Sequence, residues 1–256
     1  MRVIYSGFVV LGLLLLFSPQ KMFSQNTAED IIKHSNDLIN QPSAEAVVKM
    51  IITTTSGKKR ELKYKSYSIE KGKSNLIKYL FPKRVEGQSI LMLNNADDIW
   101  VYFPRTNRVR KLATHAKRRK MEGSNFSYED MGSGDSWVTD FEAKMLGEEK
   151  LRGKECYKIE LMKKPKIESG YSRLIMWIDK SSYVPLQIDY YDEHDPKTKL
   201  KRLILGNIKE IDGIPTPMKM TMIDVQGDSQ TEMEFESISY NVKLDKDMFT
   251  ERGMKK

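Results

Sequence analysis

From residue 44 onward the chain alternates apolar and polar residues in short runs, and each run ends in turn chemistry. The runs are 44–54, 60–70, 75–81, 88–94, 99–103, 108–112, 141–149, 154–163, 171–180, 184–192, 198–211, 215–225 and 229–240. The separators include Ser56-Gly57, Lys71-Gly72, Arg152-Gly153, Asp195-Pro196, Asp212-Gly213 and Gln226-Gly227. Period-two alternation with such punctuation predicts strands. Short links predict antiparallel neighbours. About a dozen antiparallel strands leave wide, exposed edges unless the sheet curls. A closed or nearly closed barrel is the economical solution.

The alternation also assigns faces. Thr231, Met233 and Phe235 oppose Glu232, Glu234 and Glu236; Met218, Met220 and Met222 oppose Lys219 and Thr221; Leu186, Ile188 and Tyr190 oppose Gln187 and Asp189. One face meets water and the other an interior. A barrel of so many strands is wide for its own side chains to fill, so inserted helices or a ligand cavity are expected. The Met218/Met220/Met222 face suits ligands of variable shape, because methionine is flexible and polarisable. A cavity wall and a core face are indistinguishable at this level.

A single long helix precedes the strands. Thr27-Ala28-Glu29-Asp30 has the form of a capping box. Ile31, Ile32, Ser35, Leu38 and Ile39 form one stripe, and Pro42 marks the end. Such a helix must lay its stripe on the sheet, as core packing or as a plug in an open barrel.

Residues 1–24 read as a secretory signal peptide: Arg2, an apolar run from Phe8 to Phe17 too short to span comfortably, and Ser24 before Gln25. With no cysteine in the six residues after Leu16, no N-terminal lipidation is expected. The expected product is an unlipidated extracytoplasmic chain, residues 25–256, folded as one domain. Losing Arg2 and Lys21 lowers the formal net charge from +8 to +6. Nucleic acid is then not an expected partner; phospholipid headgroups, lipopolysaccharide and acidic protein surfaces remain. Cys156 is the only cysteine, so no intramolecular disulfide and no thiolate cluster is expected.

Catalytic signatures are missing. His34, His115 and His194 stand at no metal-site spacing, and Tyr190–Pro196, the densest group of donors, reads as a hairpin turn. Gly132-Ser133-Gly134-Asp135-Ser136-Trp137 echoes serine-hydrolase motifs but is not G-x-S-x-G. Paired acids such as Asp97-Asp98 and Glu148-Glu149 sit at turns or strand ends. No catalytic residue, metal or cofactor is assigned. A hydrolase stays a third reading, testable with a fluorophosphonate label.

The stretch Ile99–Gly134 carries two other features. One is aromatic: Trp100, Tyr102, Phe126 and Tyr128, with Trp177 farther along. The other is basic: Arg108 and Arg110, then the loop Lys117-Arg118-Arg119-Lys120. From Arg105 to Lys120 there are eight Lys/Arg and no Asp/Glu. The aromatics suit barrel core or an apolar site, and the basic run suits a solvated loop or an anion-facing rim. Together they fit an amphiphile with an anionic head.

Gly123-Ser124-Asn125-Phe126-Ser127-Tyr128-Glu129-Asp130-Met131 resembles the GS-x-FSYED segment of the LolA-like outer-membrane lipoprotein-sorting proteins of Gram-negative bacteria. Trp100–Pro104, Arg108–Arg110, Trp177–Asp179 with Tyr183–Pro185, and Ile211–Gly213 with Pro215 match the same group. The resemblance covers nearly the whole mature chain. It implies a mainly β fold: an incompletely closed, strongly curved antiparallel barrel with an N-terminal amphipathic helix and a short helical lid. It implies a monomeric periplasmic carrier that takes acyl chains into an apolar cavity and ferries them towards the outer membrane, without catalysis. Expected partners are an inner-membrane transporter or outer-membrane acceptor, with transient contact at a membrane surface. Trp100, Tyr102, Phe126, Tyr128, Trp177, Met218, Met220 and Met222 are the expected lipid-binding residues. Arg108, Arg110, Lys117, Arg118, Arg119 and Lys120 are expected to meet headgroups or a partner. The chain departs from the classical carrier in length and in its long basic hairpin, so lipid, glycolipid or sterol-like cargo stands beside lipoprotein. The competing reading is an accessory protein that docks on a transporter through the basic loop and carries nothing.

Overall fold

Strand β1, Ser43–Thr53, shows how the interior is chosen: Ala46, Val48, Met50 and Ile52 are buried, while the residues between them are half-exposed. The computed structural model describes residues 26–256; the signal-peptide expectation for residues 1–24 lies outside the described residues. The first series continues with β2 (Lys59–Ile69), β3 (Ser74–Phe81), β4 (Ser89–Leu93), which is buried on both faces, β5 (Asp98–Phe103) and β6 (Arg108–Leu112). A second series follows: β7 (Phe141–Leu151), β8 (Lys154–Lys163), β9 (Tyr171–Asp179), β10 (Pro185–Asp192), β11 (Lys199–Ile211), β12 (Ile214–Asp224) and β13 (Ser229–Tyr240). These are the runs expected from alternation, displaced by a residue or two at their ends.

All thirteen strands form one antiparallel sheet in the order β6-β5-β4-β3-β2-β1-β13-β12-β11-β10-β9-β8-β7. Each series is a meander, and the β1–β13 pair joins them. β6 and β7 are the two edges, so the curved sheet is not closed. Cross-strand ion pairs mark the outer face: Lys49–Glu61 at 3.3 Å, Lys65–Glu45 at 3.8 Å and Lys219–Glu232 at 3.0 Å. They are exposed and contribute little individually. Their value here is to show which side faces water.

Helix α1, Ala28–Ile39, begins with the expected capping box: Asp30 N–H donates to Thr27 Oγ1 at 3.1 Å, and Thr27 N–H donates to Asp30 Oδ2 at 3.2 Å. It buries Ile31, Ile32 and Ser35 and packs on β7. Leu38 and Ile39 stay half-exposed at the mouth of the sheet.

The outer face is covered in two places, and both corrected the face assignments. The C-terminal segment lays Phe249 and Met254 on Leu76 and Leu91, with Trp100 and Tyr102 packed alongside. Ser89 Oγ donates to the Met254 carbonyl at 2.6 Å, fixing that cover. A second outer cluster joins Cys156, Ile175, Trp177 and Leu186. Leu186 is not an interior residue as its alternation with Ile188 and Tyr190 implied. A bulge between Pro185 and Gln187 shifts the register there, and an extra residue reverses the face of its own side chain. Asp189, expected at the surface, is buried. Burial opposes its ionisation, but Arg202 (2.6 and 2.8 Å) and Lys199 (2.8 Å) outweigh that and hold its carboxyl below the usual range.

Candidate functional site: a lidded apolar cavity

The segment between Leu112 and Phe141 crosses from one open edge of the sheet to the other and carries two short helices, α2 (Tyr128–Met131) and α3 (Ser136–Thr139). Together with the end of α1 it roofs an apolar cavity of about 210 Å³. The roof contributes Ile39, Phe126, Met131 and Trp137. The walls contribute Val48 and Tyr64 from one series, and Leu174, Leu203, Met220, Met233 and Phe235 from the other. A second cavity of about 140 Å³ adjoins it, sharing Ile39, Ser66, Asn75, Met220 and Phe235; farther along the sheet the interior is filled by side chains such as Met50, Leu62, Tyr79, Ile90 and Met92, all essentially inaccessible.

The FSYED run is the latch of this roof. Ser127 caps α2: Asp130 N–H donates to Ser127 Oγ at 3.1 Å and Ser127 N–H donates to Asp130 Oδ2 at 2.6 Å. Asp130 also accepts from the Tyr171 hydroxyl on β9 at 2.8 Å and from the Lys201 ammonium on β11. That ammonium lies 5.0 Å from the Tyr171 ring centre and 5.4 Å from that of Tyr190, close enough for cation–π attraction. Glu129 accepts from Ser169 Oγ and, at 2.9 Å, from Gly170 N–H. Burial pushes the Glu129 carboxyl above its ordinary range; those two hydrogen bonds oppose the shift and the neighbouring Asp130 adds to it. Glu129 and Tyr171 also line a polar groove of about 490 Å³ with Asn125, Asp192, His194 and Gln226. The latch therefore separates an apolar compartment from a polar one.

Two glycines let the roof seat. A Cβ at Gly132 would stand 2.6 Å from Ala96 Cβ, and one at Gly134 would stand 2.3 Å from Asn95 Oδ1. Gly134 also has φ +48°, which favours glycine. Around them, Asn40 Nδ2 donates to the Gly134 carbonyl at 2.7 Å, Asn95 Nδ2 donates to Asp135 at 2.9 Å, and Lys73 pairs with Asp135 at 2.8 Å. The hydrolase echo at Gly132–Trp137 is thus a seam of close contact.

The expected lipid-binding residues divide. Phe126 and Met220 line the cavity. Tyr128 and Met222 are in the surrounding core, and Met218 is buried without lining it. Trp100, Tyr102 and Trp177 are on the outer face, with Ile99, Val101, Met176 and Ile178 in the inward positions. Lys111 sits 4.9 Å from the Trp100 ring centre, and Trp177 Nε1–H donates to Glu149. Tyr171, Tyr190, Trp137 and Phe141 were missed as lining residues. The apolar neighbours of Tyr190 in sequence were the one signal available for any of them.

Half of the expected basic rim is neutralised. Lys117 is buried and pairs with Asp97 at 2.6 Å; Arg118 pairs with Glu193, and Lys120 with Asp224 at 2.9 Å. These pairs fasten the roof to the β4–β5, β10–β11 and β12–β13 ends of the wall. Arg119 is exposed and has no ion-pair partner among the described residues. Arg108 and Arg110 are exposed on the edge strand β6. His34 stacks on Tyr183 at 4.1 Å, and His194 lies beside Glu193. Among the described residues no group of three His, Cys, Asp or Glu is placed to hold a metal ion, and no helix is long and apolar enough to cross a membrane.

A family model described as "Uncharacterized protein" matches residues 71–256. No curated protein matches the chain. Among solved structures, an outer membrane lipoprotein-sorting protein domain from Vibrio parahaemolyticus is 25% identical. It superposes with a TM-score of 0.81 over 90% of this chain and 98% of that one. A DUF1329 family protein from Desulfovibrio piger is 28% identical, with a TM-score of 0.81 over 89% and 97% of the two chains. A LolA superfamily protein from Nitrosomonas europaea, 20% identical over 88% and 98%, shares the fold with a TM-score of 0.74.

Proposed function

The chain belongs to the family whose model spans residues 71–256 and shares its fold with an outer-membrane lipoprotein-sorting domain and a LolA superfamily protein, and from that premise we propose that it is a periplasmic carrier of acyl chains. The cargo is the lipid part of a lipoprotein or a related lipid, held under the roof while the protein moves towards the outer membrane. The observation that carries this reading is the apolar cavity beneath a polar-latched lid.

Size constrains the mechanism. The cavity of about 210 Å³ and its neighbour of about 140 Å³ reach only the lower end of the 300–1,000 Å³ usual for pockets that bury drug-sized ligands. That space is small for a cargo of several acyl chains, whose loading would require the roof to lift. Burying acyl chain contributes about 0.8 kcal/mol per CH₂, but a bilayer solvates the chain equally well. Transfer from membrane to carrier is then nearly neutral, and modest lid energetics or an upstream transporter can set its direction. The carrier needs an apolar interior that opens, and no step calls for a catalytic group.

The test is uptake of an environment-sensitive fatty-acid probe by protein purified without detergent, with displacement by long-chain lipids. Met220 is half-buried at the cavity wall. Met220→Glu should weaken probe binding at least tenfold, because a carboxylate is costly to enclose with a chain, while leaving the protein folded. A wild type that takes up no probe, together with a Met220→Glu variant that unfolds, would mean a filled core and would end the carrier reading.

A further inference from the structure

The β5–β6 hairpin, at the opposite end of the strands from the Gly72 turn, holds a feature that the cavity does not use. Arg84, from the β3–β4 loop, joins Arg105, Arg108 and Arg110 around a groove of about 320 Å³, floored by Phe103, Pro104 and Gln88. All four arginines are exposed, and none forms an ion pair among the described residues. The acids nearby in sequence are taken by lysines instead: Glu86 by Lys83 at 3.8 Å and Asp98 by Lys111 at 2.7 Å. Glu122 reaches the floor only through the Gln88 amide, which donates to it at 2.6 Å. The contrast with Lys117, Arg118 and Lys120 is informative, because those cations are spent on fastening the roof.

The surroundings are apolar. Phe103 is 36% exposed with Arg110 5.8 Å from its ring centre, and at the same end of the sheet Phe81 is 48% and Leu80 42% exposed. Guanidinium groups match phosphate oxygens as forks. Aromatic side chains with one wet edge favour the headgroup level of a bilayer. An acidic protein surface would account for the arginines but would leave three large apolar side chains without a role.

We infer that this hairpin end is a membrane-docking face, with Arg84, Arg105, Arg108 and Arg110 on lipid phosphates and Phe103 and Phe81 at the interface. It is separate from the cavity and holds whether or not acyl chains enter it. The experiment is co-sedimentation of detergent-free protein with phosphatidylcholine vesicles, with and without phosphatidylglycerol, at low and at physiological salt. An arginine near an anionic surface is worth roughly fivefold in partitioning. Arg105→Gln/Arg108→Gln/Arg110→Gln should therefore weaken binding to the anionic vesicles about a hundredfold at low salt, with an unchanged urea midpoint and unchanged uptake of the acyl probe. Phe103→Ser should weaken it about tenfold, and this loss should persist at physiological salt. A charge-matched control at exposed Lys33, Lys144 and Lys209, all to Gln, should retain most of the binding. Equal loss in that control would mean diffuse net charge and would overturn the proposal. So would unchanged binding of the arginine variant, or a wild type that ignores anionic vesicles.

Discussion

Asp130 is the side chain on which the roof depends most. Its carboxylate is 3% exposed and its partner, the Lys201 ammonium, is 12% exposed. Asp130→Ala removes at once the acceptor for Tyr171 O–H, the acceptor for the α2 cap at Ser127 N–H, and the counter-charge of Lys201. It leaves an ammonium held against two tyrosine rings with no carboxylate. Breaking such a buried pair from one side costs about 3–5 kcal/mol. Lys201→Met should cost less, because Asp130 keeps two hydrogen-bond donors. The double variant Asp130→Ala/Lys201→Met should recover much of the loss, since no unpaired charge remains. A coupling of about 2 kcal/mol or more between the two positions follows. Urea unfolding at neutral pH measures it, with equal slopes checking that the same surface is exposed. Because the roof can open without global unfolding, amide exchange across residues 123–134 is read in parallel. Asp130→Ala should either lower the midpoint by the stated amount or speed exchange in that segment by the equivalent factor. A cost under about 1 kcal/mol by both readouts, or strict additivity with Lys201→Met, would refute the latch.

Two further outcomes are expected. Gly134→Ala should cost clearly more in urea unfolding than Gly153→Ala: both have positive φ, but a Cβ at Gly134 meets Asn95 and the Gly72 backbone, and one at Gly153 meets nothing within 4 Å. Because Glu129 has a raised pKa when folded, the folded form binds its proton more tightly, so its contribution to stability grows as pH falls from the raised value towards the ordinary glutamate range; Glu129→Gln should abolish that component, seen as a wild-type-minus-variant difference that shifts in favour of the wild type as the pH is lowered towards that range.

The order of elements was legible because its determinants are local. Alternation has a period of two residues, turns are written in Gly, Asn and Asp, and the Thr27–Asp30 cap lies within one helical turn. Each can be read within a window of a dozen residues, and all thirteen strands and α1 were. Antiparallel pairing and a curled sheet follow from short links and strand number, while the resemblance implied that the barrel stays open, as it does.

Which face of a strand meets the cavity was not local. Trp100 and Ile99 differ by one position, and both are enclosed, one by the C-terminal segment and the other by the core. Period-two reasoning presumes a wet side, yet β9 and β10 are buried on both sides along most of their length, and the outward side of β5 is half covered. Leu186 adds a bulge that no spacing announces. The pairing of the basic loop was not local either. A run of cations reads as a free surface, yet Lys117, Arg118 and Lys120 meet Asp97, Glu193 and Asp224, at separations of 20, 75 and 104 residues. Sequence alone determined the strands, the helix and the kind of sheet they make, because those depend on neighbours along the chain. The cavity lining, the FSYED latch and the arginines left free at the hairpin were decided by what the curled sheet brings together, because burial and charge neutralisation depend on neighbours in space.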